Sequence, residues 1–201
     1  MYEFAILVPV FLLILLGMLE FGFMFVDNLT LEYATREGAR AGAAMGNGTL
    51  PDRACVSGYG TVGAGNVDQL IIAAVQGVLE SPGSQLDPSQ VQQIAIYDAD
   101  ANGNPIVSDV WGPYSLGRGP LVPCEASRTY LDYQAPASTP WPASARTNAA
   151  PNIDSIGVSI TYQYQFKTPL GGILRFFGGS NWSSLTISDR TVMALEPISP
   201  G

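Results

Sequence analysis

The feature that most constrains this chain is its first apolar run. Residues 4–26 read FAILVPVFLLILLGMLEFGFMFV, with Glu20 the one ionisable side chain among them. A run of this length spans a hydrocarbon core as a helix. A cleavable secretory signal has a basic flank, a shorter apolar core and a small-residue cleavage site; here the first basic residue is Arg36. The segment therefore reads as a permanent anchor. Lys and Arg normally set the orientation of an inserting helix. With none before the run, a short basic leader removed after insertion is the expected source, with Met1 at or near the mature N-terminus.

The helical pattern does not stop at Asp27. The following DNLTLEYATREGARAGAAMG is rich in helix formers, with Glu32 and Arg36 spaced i,i+4 in the favourable order. Ala39, Ala41, Gly42, Ala43 and Ala44 form a smooth stretch for close packing, and Gly46-Asn47-Gly48 ends it. A helix from about residue 3 to 45 is roughly 65 Å long, about twice the thickness a membrane requires. The expected organisation is a helix over 1–48 and an external globular domain over 49–201. Residues 3–26 form the membrane or filament-core half of the helix, and 27–45 form the half docked on that domain. Pro9 removes a backbone donor inside the run and predicts a kink or local loosening.

Two acids stand in or beside the apolar run. Glu3 suits a headgroup-level charge at a helix start, favoured by the helix dipole, or a salt bridge to the N-terminal amine of a neighbouring copy. Glu20 reads as an interfacial residue near the outer membrane face, since a carboxylate in hydrocarbon needs a partner or a proton.

Composition closes off several functions. The chain has 201 residues, a net charge of −8 and nine scattered Lys+Arg, so it lacks the clustered cations that nucleic-acid binding requires. It has no histidine, which removes the commonest general base and the commonest zinc ligand. No nucleophile motif is present, so neither an enzyme nor a cofactor is expected. Cys55 and Cys124 lie beyond the apolar helix. In an oxidising space they are expected to pair, stabilising the domain by roughly 4 kcal/mol in the chain-entropy account.

After residue 49 the pattern predicts α+β. Apolar positions at 67, 70, 71, 74, 75, 78 and 79 make a helical face, with Asn66 as N-cap. Residues 91–97, 106–111, 155–167 and 184–195 read as strands, the last two as antiparallel neighbours. About four strands would pack against the second half of the long helix. Residues 133–152, rich in Pro, Ala, Ser and Thr, read as an exposed loop, and 169–179 as an apolar hairpin connection. Asp98, Asp100 and Asn102 alternate ahead of Gly103, and Asp109 falls at the twelfth position, the spacing of a calcium loop. The flanking strands and the short Asp at the last position favour a hairpin turn instead, so no metal is expected.

The sequences EFAILVPVFLLILLGMLEFG and ATREGARAGA, with TVMALEP near the C-terminus, resemble the TadE-like proteins of tight-adherence pili, a branch of the type IV pilin superfamily. The resemblance implies a pilin-like α+β fold, with a long hydrophobic helix packed on a small antiparallel sheet. It implies a prepilin cut by a prepilin peptidase, held in the inner membrane, then assembled by pilus machinery into an extracellular helical filament of its own copies, for adhesion or surface attachment. Glu3 matches the acid that pairs with an adjacent subunit's amine, although it stands two places earlier than pilins usually carry it. Pro9, Gly17, Glu20 and Gly22 fall within the helix that packs subunits together. A minor pilin or assembly factor retained mainly in the inner membrane, and a single-pass anchored extracellular binding domain, are the alternatives.

Overall fold

The structure is a computed structural model. It describes residues 2–48, 53–54, 61–62, 66–123, 129–178 and 184–197, and within these the side chains of residues 2, 3, 5, 6, 53, 54, 61, 62 and 177 are not among those described.

The N-terminal helix α1 runs over Tyr2–Met45 without a break at Pro9. Apolar residues surround its first half on every side, and the pattern narrows to one face only in the second. Gly46, at φ +55°, ends it and donates its N–H to the Gly42 carbonyl. This is the left-handed position that closes a helix and that glycine adopts without a Cβ penalty. Helix α2 follows over Val67–Leu79 and buries Val67, Ile71, Ile72, Val75, Gln76 and Leu79. Four of these are on the face its spacing predicts, while Leu70, Ala74 and Val78 are only partly covered and Ile72 and Gln76 are buried in their place. Asn66 holds the N-cap position without a side-chain capping bond.

Four strands, β1 (Val91–Ala99), β2 (Pro105–Trp111), β3 (Ser155–Gln165) and β4 (Ser184–Ala194), make one antiparallel sheet in the order β2-β1-β3-β4. The fold is α+β, with the long helix on the sheet, as the residue pattern predicts. Alternation along β3 places Ile156, Val158, Ile160, Tyr162 and Tyr164 on the buried face. The second half of α1 is wedged between that face and α2. A Cβ added at Gly38 would lie 2.6 Å from Val75 Cγ2, and one at Gly42 would lie 2.5 Å from Ile156 Cδ1. The smooth stretch is thus used for close approach, although Ala44 itself points to solvent.

The two stretches that resemble the TadE-like pattern meet at one point. Leu195 is buried, and Glu196 donates its N–H to the carbonyl of Ala43 at 3.0 Å, satisfying one of the acceptors that a helix C-terminus leaves open.

Two segments differ from their sequence patterns. Within 169–179, expected as an apolar hairpin connection, the chain forms a short helix α3 (Leu170–Gly178) between β3 and β4. Pro169 starts it, with Gly172 and Ile173 donating back to the Pro169 carbonyl. The Pro- and Ala-rich stretch 133–152 is a loop apart from a 3-10 turn at Ala143–Ala145 and the antiparallel pairing of Asn148–Ala149 with Asn152–Ile153, but it is not an exposed excursion throughout. Tyr133, Trp141, Ala143, Arg146 and Asn148 are buried. Trp141 donates its backbone N–H to Asp109 at 3.1 Å, and the Arg146 guanidinium stacks 4.6 Å from the Trp141 ring centroid while pairing with Asp68. A loop composition hides such anchors because a few aromatic and charged contacts suffice to tie down a chain that lacks periodicity.

Candidate functional site

Two regions of α1 carry the features that need a functional account: its uncovered apolar half, and the polar clasp where the domain first takes hold of it.

The uncovered half is apolar on all sides. Phe4, Leu7, Val10, Phe11, Ile14 and Met18 are all more than half exposed, and α1 is the one helix among the described residues long and apolar enough to cross a membrane. A helix that is hydrophobic all round belongs in a core or in lipid. Covering each such side chain is worth roughly 1 kcal/mol or more. Left in water, the fourteen large apolar side chains exposed between residues 4 and 26 would forfeit on the order of 15 kcal/mol. Pro9 lies within this half. At Gly17 and Gly22 an added Cβ would meet nothing within 4 Å, so the chain's own fold does not require glycine at either place. The Glu3 side chain lies outside those described.

The clasp begins at Glu20, well before the apolar run ends at Val26. Glu20 is 4 % exposed. Its Oε1 accepts from the Tyr164 hydroxyl and from Lys167 N at 2.9 Å, and its Oε2 accepts from Thr168 N at 2.9 Å. Three donors converge on one carboxylate, the arrangement that satisfies a buried anion. Burial, and next the carboxylate it donates to, hold the Tyr164 phenol well above its ordinary value, so it stays a donor. Two turns further along, buried Asp27 takes an ion pair from Lys167 Nζ at 2.9 Å, and the same ammonium donates to the Gln85 carbonyl at 2.8 Å. Lys167 is the only lysine in the chain, and it neutralises the acid that follows the apolar run. A third tie lies deeper: Thr35 donates to Asp189 Oδ2 at 2.5 Å and sits 3.0 Å from the Thr191 hydroxyl.

The clasp supplies the partners that an acid beside apolar surface requires, and they come from within the chain. The Glu20 carboxylate is held by groups 144 to 148 residues away. Asp27, which in the sequence reads only as a residue that does not end the helix, is likewise held within its own chain, by Lys167, 140 residues on. The one signal that pointed to either was the cost of an acid next to apolar surface. That cost demands a partner without naming it.

The remaining candidates separate. Asp100 Oδ1 accepts from the backbone N–H groups of Asn102 and Asn104, each at 2.8 Å, and Gly103 takes φ +78°. This is the hydrogen-bonding of an Asx-stabilised hairpin turn between β1 and β2. Asp98 stands opposite Val107 in the sheet, whereas Asp109 stands opposite Ile96 and is buried against Trp141. No group of three or more His, Cys, Asp or Glu suited to a metal occurs among the described residues. Cys55 and Cys124 lie outside the described residues.

An exposed membrane-grade helix is thus continuous with a docked, polar-clasped half. Comparison with known families adds one finding: the family model for TadE-like protein matches residues 1–40, so the chain carries a TadE-like, pilin-like N-terminal region. That family is a pilus family and not an enzyme family, and the match ends where the helix is deepest in the domain. No curated protein and no solved structure matches the chain.

Proposed function

We propose that this protein is a structural subunit of an extracellular Tad-like pilus, serving adhesion or surface attachment. The first half of α1 holds it in the inner membrane after a prepilin peptidase has trimmed it. The pilus machinery then moves that half into the core of a helical filament of identical copies, with the sheet domain outward. The observation that carries this reading is the apolar exposure of Phe4, Leu7, Val10, Phe11, Ile14 and Met18 on a helix whose other end is fixed in the domain. Lipid and a bundle of like helices are both solvents for such a surface.

In this reading Glu3 pairs with the N-terminal amine of the adjacent copy, and Pro9, Gly17 and Gly22 let neighbouring helices fit closely. Glu20 serves assembly from within the subunit, by fixing the angle at which the domain leaves the helix. A bridge between Cys55 and Cys124 would brace the outward domain. The test is piliation of cells carrying Glu3→Leu or Gly22→Leu, read by microscopy of sheared filaments and by membrane fractionation. Both variants are expected to insert normally and to lose filaments. A Cβ added at Gly22 meets nothing within 4 Å in its own chain, and normal membrane insertion of the variant separates an assembly defect from a folding one. Normal piliation of both variants would overturn the proposal. If sheared filaments contain this chain only in traces, it is a minor pilin.

A further inference from the structure

The short helix α3 is amphipathic, and its two faces meet different surroundings. Leu170, Ile173 and Leu174 are partly covered. Leu170 shares a concave surface with Gly17, Glu20, Met24, Tyr164 and Phe166, so α3 sits beside α1 at the level of Glu20. The other face carries Arg175 and Phe176. At 85 %, Phe176 is the most exposed large apolar side chain among the described residues.

The level matters. From Tyr2 to Glu20 the helix rises roughly 27 Å at 1.5 Å per residue, close to the ~30 Å of a hydrocarbon core. With residues 2–19 in lipid, Glu20, and therefore α3, lies at the outer boundary between hydrocarbon and headgroups. The local charge suits that position. Lys167 is taken up by Asp27, but Arg175 is the one charged side chain of α3, and residues 155–188 contain no Asp or Glu. An amphipathic helix with apolar side chains on one side and a cation able to reach phosphate lies in the interface plane, and aromatic rings are favoured at that depth.

We infer that α3 is a second, interfacial membrane contact: before assembly its Arg175–Phe176 face rests in the outer headgroup layer of an anionic bilayer and fixes the height and tilt of the domain above it. This rests on the membrane reading of α1. The helix is short and its apolar face small, so it adds orientation rather than anchorage. It also explains why a connection between two adjacent antiparallel strands carries a helix rather than a tight turn.

The experiment replaces Phe176 with the photoreactive phenylalanine analogue p-benzoylphenylalanine in the full chain. The protein is reconstituted in vesicles of phosphatidylcholine with phosphatidylglycerol, irradiated, and its adducts are identified by mass spectrometry. Parallel chains carry the analogue at Phe11, in the uncovered half of α1, and at Ile106, which is 66 % exposed at the sheet end far from Glu20. Lipid adducts at positions 11 and 176, with several-fold less at 106, are expected. Lipid at 11 with none at 176, or protein–protein adducts alone at 176, overturns the α3 contact and leaves the anchor standing; the second result assigns that face to a neighbouring copy. No lipid adduct at 11 overturns the anchor and with it this inference. Equal labelling at 106 and 176 also overturns it, because the contact would then be unspecific.

Discussion

Replacing Glu20 with alanine removes the acceptor for three donors at once. A hydrogen bond to a charged acceptor contributes roughly 1.5–3 kcal/mol. The Lys167 and Thr168 amides are only partly buried and can turn to water, so their share falls at the low end. The Tyr164 hydroxyl is buried, and left alone it carries the full penalty of an unsatisfied group, about 1–3 kcal/mol. The expected loss is about 3–4 kcal/mol, concentrated where α1 meets the end of β3. Tyr164→Phe alone removes one donor and should cost about 1.5–2 kcal/mol. In the double variant the orphaned hydroxyl is gone, so its cost should not exceed that of Glu20→Ala alone, a coupling of roughly 1.5–2 kcal/mol. The assay is denaturant unfolding of the full chain in detergent micelles, followed by tryptophan fluorescence, for wild type, both single variants and the double. Hydrogen exchange adds a local readout: the Lys167 and Thr168 amides should lose protection in Glu20→Ala, while those of the β1–β2 hairpin keep it. Additive single-variant costs, or unchanged exchange at 167 and 168, would refute the reasoning.

Gly157 lies directly opposite Tyr97 in the sheet, and an added Cβ would fall 2.2 Å from that ring. Gly157→Ala should therefore cost about 2–3 kcal/mol by overpacking, seen as a lower unfolding midpoint with an unchanged slope. Arg146→Ala breaks a buried pair and leaves Asp68 uncompensated, for about 3 kcal/mol, with a shift in Trp141 emission as the stacked cation is lost. Burial pushes the Asp109 carboxyl above its ordinary value, opposed by the Trp141 amide. The folded chain then holds that proton more tightly than the unfolded chain does. Its contribution is most favourable at or below the ordinary aspartate value of about 4 and is lost as pH rises through the raised value. Asp109→Asn keeps an acceptor for Trp141, so the stability of the variant relative to wild type should increase with pH across that window; a constant difference would contradict the assignment.

Much of this molecule follows from local pattern. The continuity of α1 through Asp27, the buried face of α2 and the strands at 91–99, 105–111, 155–165 and 184–194 are set by spacing that any short window contains. Hydrophobic periodicity reports which face a segment hides, and the uninterrupted apolar character of residues 4–26 reports that a whole segment must be hidden by something else. The polar positions were another matter. Acids at 20 and 27 announced a need for partners, and the only lysine offered one, yet nothing in the sequence joined them. Nor did composition reveal that Trp141 and Arg146 anchor a Pro-rich stretch, or that 170–178 would coil beside α1.

By itself the sequence determined the kind of protein: a helix long enough for two environments, an α+β domain on one of them, and a TadE-like N-terminal region. The tertiary structure alone decided where the two environments meet. That boundary is drawn at Glu20 because residues brought back by β3, 144 to 148 positions later, supply the donors that make a carboxylate tolerable beside an apolar helix. Hydrogen bonds of that range depend on how the sheet is ordered and in what register, which no local pattern encodes.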